Sequence, residues 1–468
     1  MIDLAGDRQA PGVNVPHGPF GGMHISYEVP PPGPRGRYIP VRWKFARALA
    51  FAFAWLGLSI WLSIPWIEGP ATVIPLPAAI VVVTMLAFLP GFVIALLTGG
   101  LLLDRQPPLK MASPRSGVTV VIAARNEEEV IGETIGSLAR QDYDGDLRAI
   151  LIDNGSTDRT SAVAGTAASV SGLELEILHE TTAGKNFALN HGLAHVETGL
   201  VITVDADTLL QRSAIRLLIA RLESSPPDVR AVAGAVLVRN SRATFWSRLQ
   251  AWDYSLANAS VKRMQGLFQT TLVAQDAFSL YRTSPLREVD GWPDAIGEDI
   301  VLTWRLMDKG ARVYFEPLAI AFTSAPETFR AFSRQRARWA RGMIEGLRTI
   351  PPRRHQGGIA KVLTGIDLVI PLLDTSYMFL WLPGLILACF GHFWIVGPMT
   401  IAVIPLTMFV YGLLFHFQKK HVFTPLRLRV RRDSGGLVLF VFVYQFFMSL
   451  FSIIGYVQEL TQRSRSWK

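Results

Sequence analysis

The chain has 468 residues, of which half are hydrophobic, and its formal net charge is +9. Its one cysteine, Cys389, excludes a disulfide within the chain and a metal site built from several cysteines. The basic residues flank the apolar runs, so membrane topology explains the charge better than nucleic-acid binding does, and we expect no nucleic-acid partner. Apolar residues concentrate near both ends of the chain, which indicates a globular domain inserted between membrane segments.

A tail rich in glycine and proline, residues 1–42, opens the chain and is predicted to be flexible. It does not have the pattern of a signal peptide, so we expect the anchor that follows to be retained. That anchor, 43–104, contains two apolar runs, 45–66 and 72–103, each long enough to cross a membrane. Basic residues before the first run place the tail in the cytoplasm, and two crossings return the chain to that side.

The middle of the chain, 113–330, alternates strand and helix patterns. Compact runs rich in β-branched and other apolar residues predict strands at 118–124, 148–152, 173–178 and 200–204. Helical patterns lie between them, so we predict an α/β domain with a Rossmann-like, mostly parallel sheet and helices on both faces. In such sheets ligands bind outside the carboxyl ends of the strands.

Polar residues follow three of these strands. The first is followed by Asn126 and Glu127, the second by Asp153, and the fourth by Asp205 and Asp207. Carboxylates gathered at one rim would repel each other, and a divalent cation would relieve that repulsion. Hard oxygen ligands suit Mg²⁺ or Mn²⁺ bound jointly with substrate phosphates. The alternative, a strand-end aspartate that caps a helix or starts a turn, applies to Asp153 more readily than to the Asp205/Asp207 pair.

Lys185 stands at the head of a predicted helix that follows the third strand. Its ammonium group and the backbone N–H groups of a helix start suit a phosphate, although an exposed lysine at a helix start is the simpler interpretation. His191 and His195 lie one helical turn apart, as zinc ligands on a helix can, but no HExxH pattern or nearby third ligand accompanies them. We therefore predict no zinc site.

Glu298 and Asp299 open a further predicted helix, which Gly310 ends. Acidic residues at a helix start interact well with the helix dipole, and this interaction alone can account for either residue. A functional Asp299 would be a general base that deprotonates an attacking hydroxyl group.

A basic amphipathic helix is predicted in the segment 331–358, on the membrane surface. A surface helix does not need Gln335, Arg338 and Trp339 together. The arginine could bind a leaving diphosphate, and a sugar could stack on the indole ring.

The C-terminal segment, 359–460, is predicted to form about three membrane helices, at 366–390, 394–416 and 435–458. Asp374 is unfavourable in lipid, so we expect it to face protein or a water-filled path. The middle domain is then cytoplasmic, and the chain is a multi-pass protein of the cell membrane. Because a fifth crossing would leave a basic tail outside, one late segment alternatively lies along the surface or re-enters.

The order of these motifs resembles that in processive family 2 glycosyltransferases, the membrane-embedded synthases of cellulose, hyaluronan, chitin and poly-N-acetylglucosamine. The resemblance covers about 118–342, and 262–282 looks most like the poly-N-acetylglucosamine branch. Two residues depart from the pattern: Arg125 stands where a tyrosine is often found, and Asp276 stands in a usually small-residue segment. The motifs that carry the resemblance are Asn126–Glu127, Asp153, Lys185, Asp205-Ala206-Asp207, Glu298-Asp299 and Gln335-Arg336-Ala337-Arg338-Trp339.

The resemblance implies a GT-A fold and a UDP-sugar donor, either UDP-N-acetylglucosamine or UDP-glucose. It implies that Asn126–Glu127 and Asp153 contact the nucleotide and that Lys185 meets the diphosphate. Asp207, with help from Asp205, would hold Mg²⁺ or Mn²⁺.

The same resemblance implies transfer with inversion to the end of a growing β-linked polysaccharide. Asp299 would be the base that activates the acceptor hydroxyl group. Gln335, Arg338 and Trp339 would line the acceptor entrance and assist the leaving nucleoside diphosphate.

Two alternatives remain beside a processive synthase. One is the single transfer of a sugar to a membrane lipid, such as a polyprenyl phosphate or a sphingolipid. The other is a membrane transporter or receptor with a nucleotide-binding domain, but the chain contains no GxxxxGK[ST] motif to support it. The expected partners are a UDP-sugar, a polysaccharide or lipid acceptor and membrane lipids, and an accessory membrane subunit is left open.

Overall fold

The computed structural model describes residues 39–111, 113–397, 400–429 and 433–462. The predicted flexible tail, up to residue 38, lies outside these ranges.

The central domain is built on one sheet of eight strands in the order β3-β2-β1-β4-β7-β6-β8-β5. β1 pairs in parallel with β2 and β4, β2 with β3, and β6 with β8, whereas β7 is antiparallel to β4 and β6, and β5 to β8. The predicted α/β domain with a mostly parallel sheet is confirmed. The strands are β1 Val118–Ala124, β2 Leu147–Asp153, β3 Leu175–His179, β4 Leu200–Val204, β5 Leu209–Leu210, β6 Val229–Val238, β7 Phe278–Arg282 and β8 Arg312–Thr323.

The four predicted strands are β1 to β4. β3 begins two residues later than predicted, because Gly172 ends the preceding helix in a left-handed conformation and pairing with β2 starts at Leu175. All five residues of β4 are buried, as expected for a strand that lies between two others and under helices. β1 and β4 therefore lie side by side in the interior of the sheet.

Helices cover both faces of this sheet. The helix after β1 buries Ile131, Ile135 and Leu138 on one side, as their spacing predicted. The helices of the domain are Ile131–Ala139, Thr160–Ser171, Lys185–His195, Ala214–Glu223, Phe245–Ala259, Val261–Leu267, Thr283–Arg287, Glu298–Asp308 and Phe329–Thr349.

Long apolar helices flank the domain in the chain. Within the described residues, four are long and apolar enough to cross a membrane: Val41–Ala71, Leu76–Leu102, Gly358–Cys389 and Ser434–Leu460. A further helix, Thr400–Gln418, overlaps the predicted 394–416 segment and ends two residues beyond it. Their length and composition indicate membrane association.

Asp374 faces protein, as expected. It lies in the helical segment Ile370–Ser376, and its two carboxylate oxygens accept hydrogen bonds from Ser449 Oγ at 2.8 Å and Tyr456 Oη at 2.7 Å. Both donors belong to the last helix. A carboxyl group without such partners would be unfavourable in lipid, and this contact joins two of the candidate membrane helices.

The basic helix Phe329–Thr349 lies between the domain and the last membrane helix. It ends before Pro351 because consecutive prolines cannot continue a helix, so the predicted 331–358 segment is helical only in its first part. Gly455 of the last helix packs directly against the backbone at Ala337, and Arg341 forms an ion pair with Glu459 at 3.3 Å. The basic helix is therefore fixed to the last of the candidate membrane helices.

Candidate active site

A cleft of about 570 Å³ opens at the carboxyl ends of β1 and β4. This is the edge at which ligands bind in such sheets. The residues that line the cleft come from the ends of β1, β2 and β4 and from one helix start: Ala123, Ala124, Arg125, Asn126, Glu127, Asn154, Lys185, Asp205, Ala206 and Asp207.

The turn after β4 places Asp205 and Asp207 in this cleft. Thr134 Oγ1 donates to the Ala206 carbonyl at 2.7 Å and fixes the turn from beneath. Thr323 Oγ1, at the end of β8, donates to Asp207 Oδ1 at 3.1 Å. Burial, and then the charge of Asp205, raise the pKa of Asp207. The pair therefore presents two oxygen ligands whose mutual repulsion a cation would relieve.

Lys185 lies against this pair at the start of its helix. Its ammonium nitrogen is 2.6 Å from Asp205 Oδ1 and 3.7 Å from Asp276 Oδ2. Burial alone would lower the pKa of Lys185, but the attraction of Asp205 and Asp276 outweighs burial and raises it. The side chain is therefore an ammonium group at neutral pH, and it lines the cleft that an anion would enter.

Glu127 adds a third carboxyl group to the cleft wall. Its backbone N–H donates to Thr160 Oγ1 at 2.8 Å, which holds the end of β1 against the helix that follows β2. Burial, followed by the charges of Asp207 and Asp205, raises its pKa to about 7. The cleft thus contains more carboxyl groups than the single charge of Lys185 can neutralise, and such a site suits a divalent cation.

Asn126 and Asp153 shape the mouth of the cleft. Asn126 has a φ of +57°, and its Oδ1 accepts from the Thr157 N–H at 2.8 Å. Asp153 is buried, and its Oδ1 accepts from the Ser156 N–H at 2.7 Å. Its neighbour Asn154 lines the cleft instead, and Asn154 Oδ1 accepts from the Gly184 N–H at 2.9 Å. Asp153 therefore organises the loop after β2 beneath the lining.

The second part of the site lies on helices. Asp299 is half-buried in the first turn of Glu298–Asp308, and its Oδ1 accepts from the Ile300 N–H at 2.8 Å. Burial raises the pKa of both acidic residues, to about 7 for Glu298, and the charge of Lys185 opposes this. Carboxyl groups with raised pKa values are better proton acceptors near neutral pH.

Glycine contacts hold the basic helix against the start of the Asp299 helix. A Cβ on Gly297 would lie only 2.8 Å from the Cα of Gly342, so the two backbones touch. The Ile296 N–H also donates to Glu345 Oε2 at 2.7 Å. The charge of Arg338, which is exposed, acts on both Glu298 and Asp299.

Gln335 and Trp339 share this helix with Arg338. Gln335 Oε1 is buried, and the described residues give it no hydrogen-bond partner. The Trp339 ring is 37% exposed, and the guanidinium of Arg336 lies 4.1 Å from its centroid. Tyr254 contacts the same ring at 6.1 Å between centroids. One part of the indole is thus covered by protein and another is open to a ligand.

The predicted site residues therefore form two groups. Asn126, Glu127, Lys185 and the Asp205/Asp207 pair meet in the cleft. The second group does not line the cleft and consists of Asp299, Gln335, Arg338 and Trp339. The positive charge of Lys185, which does line the cleft, opposes the rise that burial causes in the pKa of Asp299.

Sequence reasoning missed several supporting residues. Thr323 donates a hydrogen bond to Asp207 from the end of β8, a strand that was not predicted, so no local sequence pattern identified this residue. Arg336 lies inside the QxxRW motif but is fully buried and pairs with Asp253 at 3.2 Å. Its burial depends on contacts distant in sequence, which no local pattern reveals.

The described residues contain no group of three or more His, Cys, Asp or Glu side chains that could hold a metal ion. His191 contacts Glu180 at 3.2 Å, which gives it a structural partner. A cation on Asp205 and Asp207 would therefore complete its coordination with oxygens of a bound substrate and water, as Mg²⁺ commonly does.

The chain matches a known family over its central domain. Residues 114–342 match the model described as glycosyltransferase like family 2. The match spans just under half of the chain, and it includes all eight strands of the sheet and the acidic cleft described above.

Two curated relatives carry a more particular name. The poly-beta-1,6-N-acetyl-D-glucosamine synthase of Staphylococcus aureus is 30% identical over 246 residues, which cover 52% of this chain and 58% of that protein. The synthase of the same name from Staphylococcus epidermidis is 29% identical over 232 residues, or 49% and 55% of the two chains. The match thus spans little more than half the length of these relatives.

A solved structure confirms the GT-A fold. The mannosyltransferase PcManGT from Pyrobaculum calidifontis, in complex with GDP-Man and Mn²⁺, is similar to this chain with a TM-score of 0.50 and 20% sequence identity. The match covers 79% of this chain and 97% of that one.

Proposed function

We propose that the protein is a membrane-embedded, inverting glycosyltransferase that extends a β-linked polysaccharide from a UDP-sugar, with UDP-N-acetylglucosamine as the first candidate. The observation that carries this proposal is that one cleft contains Asp205, Asp207 and Lys185. Asp299 lies beside this cleft, on a helix whose start packs against the QxxRW helix. The names of the two staphylococcal relatives support the choice of sugar.

Asp205 and Asp207 would hold Mg²⁺ or Mn²⁺ together with oxygens of the donor diphosphate. The bound metal would neutralise charge on the leaving diphosphate. Lys185 would exchange Asp205 for a phosphate oxygen and hold the diphosphate from the helix start. Asn126, Glu127 and, through the loop beneath, Asp153 would form the nucleotide side of the cleft.

Asp299 would accept the proton of the acceptor hydroxyl group while that oxygen attacks the anomeric carbon. Attack from the face opposite the leaving diphosphate inverts the configuration of that carbon. Arg338 would face the negative charge that develops on the leaving group, and the open part of Trp339 would stack on the acceptor sugar. Gln335, whose Oε1 lacks a described partner, would bond a ligand hydroxyl group.

The flanking helices would place this domain at the cytoplasmic face of a multi-pass cell-membrane protein. The contact of Gly455 and Glu459 with the basic helix keeps the acceptor side next to the membrane helices. A growing polymer would then leave the site towards the bilayer.

The test is transfer by the purified protein in nanodiscs with Mg²⁺ or Mn²⁺ and labelled UDP-sugars, beginning with UDP-N-acetylglucosamine. We expect a long, lipid-free polymer, and none from the Asp299→Asn control. A single sugar on a lipid would favour the lipid-acceptor alternative and assign Gln335, Arg338 and Trp339 to a lipid site. Failure of every sugar nucleotide to bind or react would overturn the proposed function.

A further inference from the structure

Asp276 is a buried carboxylate that the proposed reaction does not use. It lies just before β7 and is 3% exposed. Trp292 Nε1 donates to its Oδ1 at 2.8 Å. Its Oδ2 is buried and has no hydrogen-bond partner among the described residues, and the Lys185 ammonium lies 3.7 Å away.

A carboxylate in such a place is stable only if a cation compensates it. Burial raises the pKa of Asp276, and the charges of Glu298 and Asp299 raise it further, whereas the Lys185 ammonium, which lies within ion-pair distance of Oδ2, opposes this and favours the charged carboxylate. Lys185 is the cation in ion-pair contact with it, and the same ammonium lies 2.6 Å from Asp205. The ammonium is therefore shared between a carboxylate in the cleft and one beneath the cleft.

We propose that Asp276 is a positioning residue that holds the Lys185 ammonium at the cleft floor and competes with the donor diphosphate for it. This inference rests on the proposed function, because it takes the cleft as the site of a nucleoside diphosphate. A metal on Asp205 would remove one partner of Lys185, and Asp276 would remain to orient the ammonium towards the phosphate.

The negative charge of Asp276 has two opposite effects on the reaction. The negative charge of Asp276 weakens the attraction between Lys185 and a phosphate, so it lowers nucleotide affinity. The same charge restricts the ammonium to one place, so it favours turnover. A residue with a purely structural role would show neither the gain in affinity nor the opposition between affinity and turnover.

The test is binding of UDP with Mg²⁺ to the full-length protein in nanodiscs, measured by calorimetry. Asp276→Asn keeps an oxygen that can accept from Trp292 but removes the charge. We expect this variant to bind UDP about three- to tenfold more tightly, because removal of one negative charge strengthens the attraction between Lys185 and the phosphates. Its kcat should fall while its KM for the donor also falls.

The matched control repeats the substitution in a Lys185→Met background. Without the ammonium the buried carboxyl group of Asp276 takes up a proton, so Asp276→Asn should then change UDP affinity by less than about twofold. Thermal unfolding of each variant establishes that the compared proteins are folded.

Unchanged or weaker UDP binding by folded Asp276→Asn would overturn the inference. An equal gain in the Lys185→Met background would also overturn it, since the effect would not act through Lys185. Failure of the wild-type protein to bind either UDP or GDP with Mg²⁺ has a different meaning: it would overturn the proposed function, and the inference with it.

Discussion

The proposed donor cleft and the proposed acceptor side of this site are built in different ways. The cleft residues Glu127 and Asp205 extend from the ends of two buried strands, so the centre of the sheet fixes them. Asp299 and Arg338 stand on helices whose positions depend on glycine contacts and on the last membrane helix. Under the proposed function, nucleotide binding and sugar transfer therefore have separate structural supports, so substitutions should affect them separately.

Asp299→Asn is expected to give the largest difference between the effect on sugar transfer and the effect on UDP binding. Because the amide cannot take the acceptor proton, transfer should fall by about 10²- to 10⁴-fold, the range for loss of a general base. UDP binding should stay within about twofold, since Asp299 is not part of the cleft lining. Labelled-sugar incorporation and calorimetry measure the two quantities. Turnover at the normal rate would remove Asp299 as the base.

Asp207→Ala should instead weaken nucleotide binding. Loss of this carboxylate should reduce metal-dependent UDP affinity by at least about 10- to 100-fold, since the loss of a residue that only supports a metal ligand already has an effect of that size. Thr323→Val, which removes the hydroxyl that bonds Asp207, should reduce the same affinity by a smaller factor. UDP titrations with and without Mg²⁺ compare them, and an unchanged metal dependence in Asp207→Ala would contradict the assignment of the pair.

Gly455→Ala tests the membrane support of the acceptor side. A Cβ there would overlap the carbonyl oxygen of Ala337, so the basic helix must shift. We expect transfer to fall by about tenfold, because small displacements of reacting groups lower the rate steeply. Gly412→Ala is the matched control, since a Cβ at that position meets nothing within 4 Å. Equal losses of transfer in both variants would deny a specific role to the Gly455 contact, as would reduced UDP binding in Gly455→Ala.

The smallest expected effect is on stability. The pKa of Glu298 is raised to about 7, mainly by burial, from an ordinary value of about 4.5. The folded protein therefore binds more protons than the unfolded chain between these values, and Glu298 destabilises the fold as pH rises through this range. Glu298→Gln should gain stability relative to wild type at pH 8 compared with pH 5. Melting curves at the two pH values test this, and a relative gain at pH 5 would have the wrong sign.

The sequence predicted the donor cleft better than the acceptor side. β1 and β4 are short apolar runs that end in polar residues, and a parallel sheet brings such ends to one edge. Lys185 could be assigned because the helix that it opens directly follows β3. These inferences need only the local sequence pattern of each strand and the rule that the ends of parallel strands meet at one edge of the sheet.

The remaining features depend on contacts between residues far apart in the chain. β7 was not predicted, and its antiparallel pairing places Asp276 beneath Lys185. The helix that carries Trp339 was predicted from its charge and periodicity, but neither could reveal that Arg336 covers part of the indole. The roles of Asp299 and Arg338 stay predictions for the same reason, since their use depends on how an acceptor lies between two helices.

The contact of Gly455 with Ala337 has a consequence for the lipid environment. A membrane helix that is longer or shorter than the hydrocarbon layer responds by tilting. A tilt of the last helix would move the backbone at Ala337, and with it Gln335 and Arg338, while the sheet that holds Asp205 stays in place. Hydrophobic mismatch would therefore alter the transfer rate and leave the dissociation constant for the nucleotide unchanged, so the thickness of the host bilayer becomes a variable that acts on one side of the site alone.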